Sequence, residues 1–278
     1  MSPIITLLTD FGTEDAYVGV MKGVILSRNQ NATVVDITHS IQPQDIRHGA
    51  FILATSYSYF PDGSIHVVVV DPGVGSSRRG IILKVKGALF VAPDNGVLSY
   101  VIDQLSLNED AIPESGDEPV AVRLKRGIEA VSITDPRFWR KPVSPTFHGR
   151  DVFSPVAAGL SLGVSPYEFG EKTEVLTMLP VTRPRHLAPD EIAGRVMHID
   201  RFGNLITDIR GSSLPPGPVE VYVCDARIDG VSRYYEETDG LGALIGSSGY
   251  LEIALRQGSA ARYLGAMAGD EVRVLAVS

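Results

Sequence analysis

Three short polar clusters, each with an aspartate, follow predicted strands in the first half of the chain. Their sequences are Thr-Asp-Phe-Gly at residues 9–12, Asp-Pro-Gly-Val-Gly at residues 71–75 and Ala-Pro-Asp-Asn-Gly at residues 92–96. Ligands in open α/β sheets bind beyond the carboxyl ends of the strands, so the clusters are expected to line one crevice. Any one of them is typical of an ordinary turn, because Asp, Asn, Pro and Gly are common turn residues. Three such clusters at one edge of the predicted sheet favour a binding site.

A histidine that could take part in acid–base chemistry lies just before a predicted helix. His148 belongs to the sequence Phe-His-Gly-Arg-Asp at residues 147–151. The positive end of a helix dipole favours the neutral imidazole, which can accept a proton. A loop histidine that bonds only to the backbone explains the sequence equally well. The remaining histidines lack metal-ligand spacing, and a structural role is expected for them: His39, His48, His66, His186 and His198.

Several familiar sites are excluded by the sequence. No Gly-x-Gly-x-x-Gly follows the first strand and no Gly-x-x-x-x-Gly-Lys-Ser/Thr occurs, so dinucleotide and P-loop sites are not expected. The Gly-x-Ser-x-Gly string at residues 159–163 falls at the end of a predicted helix, where a nucleophile elbow does not form. The single cysteine, Cys224, excludes an intramolecular disulfide and a cysteine-rich zinc site.

The chain of 278 residues is acidic, with 33 Asp and Glu against 25 Lys and Arg. An acidic field repels a nucleic-acid backbone and suits a cationic small molecule. No apolar run reaches the roughly 18 residues of a membrane span, and the N-terminus does not resemble a signal peptide. With one cysteine, the reducing cytoplasm is the simplest expected location. The composition therefore predicts a cytoplasmic protein that binds neither nucleic acid nor membrane.

Alternating strand and helix patterns in the first half predict an α/β domain. Short β-rich runs predict strands at residues 4–9, 33–38, 65–70, 81–85 and 89–92. Helical spacing predicts helices at residues 16–28, capped by Asp15, at 46–60, and at 151–162, capped by Asp151 or Ser154. The β-α-β-α-β order predicts a mainly parallel sheet with helices on both sides. Residues 108–145 are polar and rich in proline, so most of this segment is expected to lie on the surface.

The pattern changes after residues 171–190, which contain several prolines and no periodicity and are predicted to be a linker. Short β-like runs separated by Gly and Pro then predict a small antiparallel barrel or sandwich, with strands at residues 192–199, 205–209, 219–223, 230–235, 251–255 and 271–277. Only residues 260–264 are predicted to be helical there. The predicted domains are therefore residues 1–175 and 190–278. Polar residues at 200–204 and 247–252 lie on Gly-containing turns, and the favoured interpretation is that they only form β-hairpin turns.

Six motifs in one order resemble those of the S-adenosylmethionine hydroxide adenosyltransferases, which are S-adenosylmethionine hydrolases related to the fluorinase and chlorinase enzymes. They are the three clusters above, Tyr-Val-Gly-x-Met-Lys-Gly at residues 17–23, Phe-His-Gly-Arg-Asp at 147–151 and Phe-Gly-Asn at 202–204. The resemblance implies an N-terminal α/β domain, a C-terminal β-barrel and a homotrimer, with the ligand between the first domain of one subunit and the barrel of the next. It also implies S-adenosyl-L-methionine as the substrate, and neither metal nor cofactor.

The resemblance also implies roles for individual residues. The family's catalytic Asp-Arg-His set falls on Asp71, Arg78 and His148. Its ribose-binding aspartate falls on Asp10, and its adenine-binding asparagine falls on Asn204. The other substrate-binding candidates, including those expected near the methionine end, are Phe11, Asn95, Asp200, Phe202, Ser247, Tyr250 and Glu252.

Differences from the halogenating relatives concern the nucleophile. Those relatives carry a tyrosine at the position of Asp71, and a tryptophan under the nucleobase at the position of Gln44. Both differences favour water over halide. Ser248 stands where they carry an arginine for the substrate carboxylate, so the residue for that contact is left unassigned.

The implied reaction is attack by water or hydroxide on the ribose 5′ carbon, which releases adenosine and methionine. Asp71 and His148 would hold the water and accept its proton, while Arg78 would stabilise the developing hydroxide. Two other functions stay open from the residues alone. A metal-dependent hydrolase would use Asp10, Asp71, Asp94 and His148, and a non-catalytic protein would bind adenosine without turnover.

Overall fold

The computed structural model describes residues 2–105 and 118–277 and divides into two compact units, Met1–Val181 and Thr182–Ser278. Residues 108–117 of the segment predicted to lie on the surface are outside the described part of the chain. None of the helices formed by the described residues has the length and apolar character that a membrane span requires.

Over its described residues, the first unit alternates strands and helices as far as its third strand, and then adds six further strands and two helices. Its elements are β1 (Ile4–Thr9), α1 (Tyr17–Arg28), β2 (Thr33–Thr38), α2 (Ile46–Ser56), β3 (Ser64–Val69), β4 (Gly80–Val85), β5 (Ala88–Pro93), α3 (Ser99–Leu105), β6 (Val120–Arg123), β7 (Glu129–Ser132), α4 (Ser154–Ser161), β8 (Lys172–Thr173) and β9 (Val175–Met178).

A seven-stranded sheet forms the centre of this unit, in the order β2-β1-β3-β5-β4-β7-β8. β2, β1, β3 and β5 are mutually parallel, whereas β4, β7 and β8 pair antiparallel. Every residue of β3 is buried, as expected for a central strand covered on both faces. The predicted α/β class is confirmed. Among the described strands of the sheet, parallel pairing is confined to β2, β1, β3 and β5, which form one side of it.

Helical segments cover both faces of the sheet. Met21 and Ile25, one turn apart on α1, pack in one apolar cluster with Val67 of β3 and Val156 of α4. Successive strand residues point to opposite faces, so His66 lies on the other side. There it contacts the ring of Tyr57, directly after α2.

Two helices begin differently from the prediction. α1 begins at Tyr17 with Ala16 as its N-cap, so the predicted cap Asp15 is wrong. The helix predicted from residue 151 begins earlier, as a π-helical turn over Gly149–Phe153 that leads into α4.

The two predicted caps of this last helix are also wrong, because both side chains bond elsewhere. Asp151 is fully buried and accepts hydrogen bonds from Arg150. The Ser154 hydroxyl donates to the carbonyl of Gly149, at 2.7 Å, within the π-helical turn.

Part of the segment predicted to lie on the surface is a strand of the central sheet. Ala130 and Val131 of β7 are buried and pair with Leu83 and Ile82 of β4. The strand is only four residues long and lies between polar stretches, so its apolar pattern is too short to stand out in the sequence.

The second unit is built almost entirely of strands. Its elements are β10 (Arg185–Ala188), β11 (Glu191–Ile199), β12 (Leu205–Arg210), β13 (Val219–Val223), β14 (Ala226–Asp229), β15 (Leu241–Ile245), β16 (Tyr250–Leu255), α5 (Ala260–Leu264) and β17 (Glu271–Ala276). The interval 171–190 contains β8, β9 and β10, of which β8 and β9 belong to the first unit.

These strands form an antiparallel sheet in the order β14-β13-β17-β11-β12-β16-β15, with β10 paired to β11. Just after β14, the amide of Ser232 donates to the carbonyl of Ala243 in β15 at 2.8 Å, which brings the two ends of the sheet together. The predicted antiparallel barrel is therefore confirmed as a nearly closed one. The strand predicted at 230–235 is wrong, because extended pairing occurs on either side of this bridge, in β14 and β15.

A histidine is buried inside the first unit's sheet. His66 is 1% exposed, and its Nδ1 lies 2.8 Å from the hydroxyl of Thr6 on β1. Its ring stacks on Phe90 with 5.0 Å between centroids. Burial lowers the pKa of His66 to about 4, because the imidazolium would lose its hydration.

We expect this histidine to make the protein less stable in mild acid. The folded-state pKa is lower than the unfolded one, so the unfolded chain binds the proton first and stability falls as pH decreases through the interval between them. Between about pH 7 and about pH 5, the group should cost about 2 kcal/mol. Urea unfolding at both pH values should show a smaller loss for His66→Gln, whereas His66→Gln and wild type losing stability equally would contradict the prediction. His186→Gln, at an exposed position, is the control.

Candidate active site

Asp71, Arg78 and His148 are brought together at one end of the parallel strands. The Nε of Arg78 donates to Oδ1 of Asp71 at 2.9 Å, and its Nη2 donates to Oδ2. The same Nη2 lies 2.8 Å from Nδ1 of His148. One guanidinium therefore joins a carboxylate and an imidazole that are far apart in the sequence. The catalytic roles predicted for the three residues stay predictions.

Short loops place these side chains. Asp71 follows β3, and Arg78 lies two residues before β4. Gly75, between them, has φ +79°, and a Cβ at this position would overlap the carbonyl of Pro145. Glycine therefore lets the loop after β3 approach the segment that leads to His148.

A buried carboxylate holds the segment that carries His148. Asp151 accepts bonds from Arg150 Nε at 2.7 Å and from the Ser144 amide at 2.8 Å. Its carbonyl also accepts from the Arg140 amide at 2.8 Å. Burial alone would raise the pKa of Asp151, but the bonds from Arg150 and Ser144 outweigh it and the pKa is lowered. The carboxylate is ionised and fixes the course of the chain on both sides of His148.

The bond from Arg78 determines how His148 carries its proton. A guanidinium nitrogen is only a donor, so Nδ1 must accept and the neutral ring is protonated at Nε2. Burial lowers the pKa of His148, and the charge of Arg78 lowers it further, against smaller opposite effects of Asp71 and Asp151. His148 is therefore a neutral imidazole whose Nε2–H can donate.

Asp10 and Phe11 lie beside this group, directly after β1. Oδ2 of Asp10 accepts from the amide of Gln44 at 2.8 Å. The ring of Phe11 is tilted against Tyr17 and edge-on to Phe147, with centroids 5.6 Å and 5.8 Å away. β1 and β3 are adjacent parallel strands, so the chain brings Asp10 to the same edge of the sheet as Asp71.

The remaining candidates at this edge are bonded to the protein itself. Asn95 donates from Nδ2 to the carbonyl of Val70 at 2.8 Å. Asp94 accepts from Arg79 and, at 2.7 Å, from the Thr177 amide. Asn95 therefore holds its turn against the end of β3, and its predicted contact with substrate stays a prediction.

In the second unit, Asp200 organises the turn between β11 and β12. Its Oδ1 accepts from the amides of Phe202 and Asn204, both at 2.9 Å, and its Oδ2 accepts from Nδ2 of Asn204 at 3.0 Å. Asn204 is buried, whereas the Phe202 ring is 77% exposed. Both residues line a cavity of about 530 Å³, together with Tyr235, Glu236, Leu255, Arg256, Gln257 and Gly258.

A second carboxylate, Glu252 on β16, is buried near this cavity. The Tyr235 hydroxyl donates to its Oε1 at 2.6 Å. Burial raises the pKa of Glu252, and burial together with Glu252 raises the pKa of Tyr235 to about 12. Tyr235 was not predicted as a site residue, because nothing in its polar surroundings shows that it reaches β16.

Tyr250 and Ser247 lie around the turn that precedes β16. The Tyr250 hydroxyl accepts from Nη2 of Arg210 at 2.9 Å, and the guanidinium lies 4.6 Å from the ring centroid. Ser247 is exposed in the turn itself.

Models of protein families match both units. One for the N-terminal domain of SAM hydroxide adenosyltransferase matches residues 5–170, and one for the C-terminal domain matches residues 194–273. The chain belongs to the SAM hydroxide adenosyltransferase family. The resemblance of its six motifs to this family is thereby confirmed.

Relatives of this adenosyltransferase chain agree with the assignment. The (R)-S-adenosyl-L-methionine hydrolase of Methanocaldococcus jannaschii is 35% identical, over 98% of this chain and 95% of that protein. A fluorinase of Nocardia brasiliensis is 26% identical, over 98% of this chain and 96% of that protein. The crystal structure of an uncharacterized conserved protein from Thermotoga maritima superposes with a TM-score of 0.84 at 32% identity, covering 98% of this chain and 99% of that one.

The residues named for the metal-dependent alternative have bonding partners within the protein. Within residues 2–105 and 118–277, no group of three or more His, Cys, Asp or Glu side chains is placed to hold a metal ion. Both Asp71 and Asp94 are instead paired with arginines.

We expect NMR of ¹⁵N-labelled histidine to show His148 protonated at Nε2 and unprotonated at Nδ1 near neutral pH. Its pKa should lie below the ordinary value, and Arg78→Gln should raise it because a neighbouring cation is removed. Arg79→Gln is the matched control, since Arg79 pairs with Asp94 instead. An unchanged His148 pKa in Arg78→Gln would show that the bond from Arg78 does not set its protonation.

Proposed function

We propose that the protein hydrolyses (R)-S-adenosyl-L-methionine to adenosine and L-methionine, by attack of water or hydroxide on the ribose 5′ carbon. The observation that carries the proposal is the bonded set of Asp71, Arg78 and His148 at the carboxyl edge of the sheet. Membership of the adenosyltransferase family and the name of the Methanocaldococcus jannaschii relative support the reaction and the sulfonium epimer.

The chemical difficulty of this reaction lies in the nucleophile. Methionine leaves a sulfonium as a neutral thioether, which is a good leaving group, whereas free water has a pKa of about 15.7. Arginine side chains stay charged in proteins, so Arg78 can stabilise a developing hydroxide. The Nε–H and Nη2–H groups of Arg78 donate to Asp71 and His148. We therefore assign stabilisation of the hydroxide to the Nη1–H groups.

The protonation state of His148 determines which roles His148 and Asp71 take. With Nδ1 accepting from Arg78, the ring offers Nε2–H and orients the water as a donor. Proton acceptance then falls to Asp71, whose carboxylate oxygens can each accept more than one bond. An anionic Asp71 also opposes a halide at the same place, which supports water as the nucleophile.

The remaining residues would bind the substrate, and no cofactor is needed. Asp10, an acceptor of two hydrogen bonds, suits the two ribose hydroxyls, and Asn204 suits an adenine edge with one donor and one acceptor. Asp200 would act by orienting Asn204. The carboxylate of Glu252 suits a cationic substrate, as does the net charge of −8.

We further propose a cytoplasmic homotrimer with one site at each subunit interface. The support is the family resemblance, together with the assignment of Asp10 and Asn204 to different units of the chain. In a cyclic trimer, each site would combine the first unit of one subunit with the barrel of its neighbour.

We expect the purified protein to convert S-adenosylmethionine into adenosine and methionine in chelator-treated buffer, with chloride adding little. In oxygen-18 water, mass spectrometry should find the label at the ribose 5′ hydroxyl. Unlabelled adenosine, or a dominant 5′-halogenated product in chloride, would rule out hydrolysis. Adenosine binding without turnover would indicate a sensor.

Substitutions of two adjacent arginines test the role of Arg78 in this reaction and provide a control. Arg78→Lys loses the forked contact to Asp71 and should lower turnover about 10²-fold or more, within the range for acid–base and electrostatic groups. Arg79→Lys alters the neighbouring pair with Asp94 and should leave turnover nearly unchanged.

We expect inactive Asp10→Ala protein and inactive Asn204→Ala protein to regain activity when their subunits are mixed and exchanged. Mixed rings would contain interfaces with an intact first unit and an intact barrel. Activity is followed as adenosine release, and exchange is confirmed by native mass spectrometry. Confirmed exchange without recovery would show that both residues of one chain serve the same site.

A further inference from the structure

A row of side chains connects the surface of the first unit to the turn that carries Asp10. Lys22 on α1 donates to Oδ2 of Asp36 at 2.6 Å, and Oδ1 of Asp36 lies 3.0 Å from Nε2 of His39. Nδ1 of His39 lies 2.8 Å from the hydroxyl of Thr9, at the end of β1. That hydroxyl accepts from the amide of Phe11 at 3.2 Å.

The charge at one end of this row determines the direction of its hydrogen bonds. The Asp36 carboxylate lies 3.0 Å from Nε2 of His39, as an ion-pair contact, and favours the His39 proton on that nitrogen. Nδ1 therefore accepts from the Thr9 hydroxyl, whose oxygen in turn accepts from Phe11 N–H. Thr9 and His39 are both buried, so the bond between them is shielded from competing water.

This row of side chains lies where the pairing of β1 with β2 becomes irregular. Leu7 pairs with Asp36, but the next residue, Leu8, pairs with Thr38, so the register of β1 against β2 shifts just before the turn. Beyond this point, the amide of Gly12 donates to the carbonyl of His39 at 2.8 Å. His39 thus holds the turn through its side chain at Thr9 and through its backbone at Gly12.

We propose that Thr9, His39 and Asp36 are positioning residues that fix the peptide around Asp10, so that its carboxylate is oriented for a nucleoside ribose. The inference rests on the proposed function for the identity of the ligand. None of the three side chains needs to touch the substrate. The side chains act through the Phe11 amide, and the backbone carbonyl of His39 holds the Gly12 amide. Both amides follow Asp10 and leave its backbone little freedom.

A matched pair of threonines tests this role. Thr9→Val removes the hydroxyl while keeping the shape, and Thr9→Ser restores it. Thr6→Val is the control, because Thr6 lies on the same strand and is fully buried, and its hydroxyl is 2.8 Å from Nδ1 of another histidine, His66. Both valine variants lose one buried threonine–histidine bond, but only the bond of Thr9 leads to the Asp10 turn.

The measurements are the dissociation constant of adenosine by calorimetry, and kcat and KM for S-adenosylmethionine. Thr9→Val should weaken adenosine binding and raise KM about tenfold, the effect of losing roughly one well-placed hydrogen bond, and should change kcat by less than about threefold. Thr9→Ser should return both values close to wild type. Thr6→Val should lower the melting temperature and leave both constants unchanged.

Asp36→Asn provides a second test at a partly exposed position, where folding is less at risk. It should weaken adenosine binding about threefold, because His39 loses its charged partner. Equal adenosine affinity in wild type, Thr9→Val and Asp36→Asn would overturn the proposal, as would equal losses in Thr9→Val and Thr6→Val.

Failure of the proposed function gives a different result. If the wild type binds adenosine but does not turn over S-adenosylmethionine, hydrolysis is wrong, and the adenosine constants of the variants still decide the positioning role. If the wild type binds no adenosine, the positioning role is overturned as well, since the Asp10 turn then has no nucleoside to hold.

Discussion

The parallel pairing of β1 with β3 is the constraint on which the first unit's site depends. Its register aligns Thr9 with Val69, so both strands end at the same edge, and the turns that carry Asp10 and Asp71 begin side by side. β5, parallel to β3, brings Asn95 to this edge, where it bonds back to the end of β3. Apolar strands thus decide where polar side chains gather, although the polar groups contribute little to the sheet itself.

Arginines compensate the negative charge that collects there. A buried carboxylate destabilises the folded state unless it is paired and hydrogen-bonded, and Asp151 meets this requirement through Arg150. Arg78 does the same for Asp71 but also donates to His148. One cation therefore pairs with one neighbour and helps to keep the other neutral, which gives the group both a proton acceptor and a donor.

Much of the fold could be predicted because local pattern and tertiary packing agree. β1, β2 and α1 lie within a residue of their predicted bounds, since their apolar residues recur at strand or helix spacing. β7 was missed because a four-residue strand carries too little periodicity, and only its pairing with β4 identifies it. Likewise, Asp151 resembles a helix cap in sequence, whereas the fold buries it among arginines.

Residue type and strand periodicity are local properties, so the amino-acid sequence alone indicates which residues bear chemistry and that they follow strand ends. Which of these groups meet depends on how the whole chain folds. Arg78 and Arg79 are adjacent, yet one bonds Asp71 and His148 while the other bonds Asp94. Neighbouring residues in an extended segment point to opposite sides, so their partners depend on what the rest of the chain packs against each side.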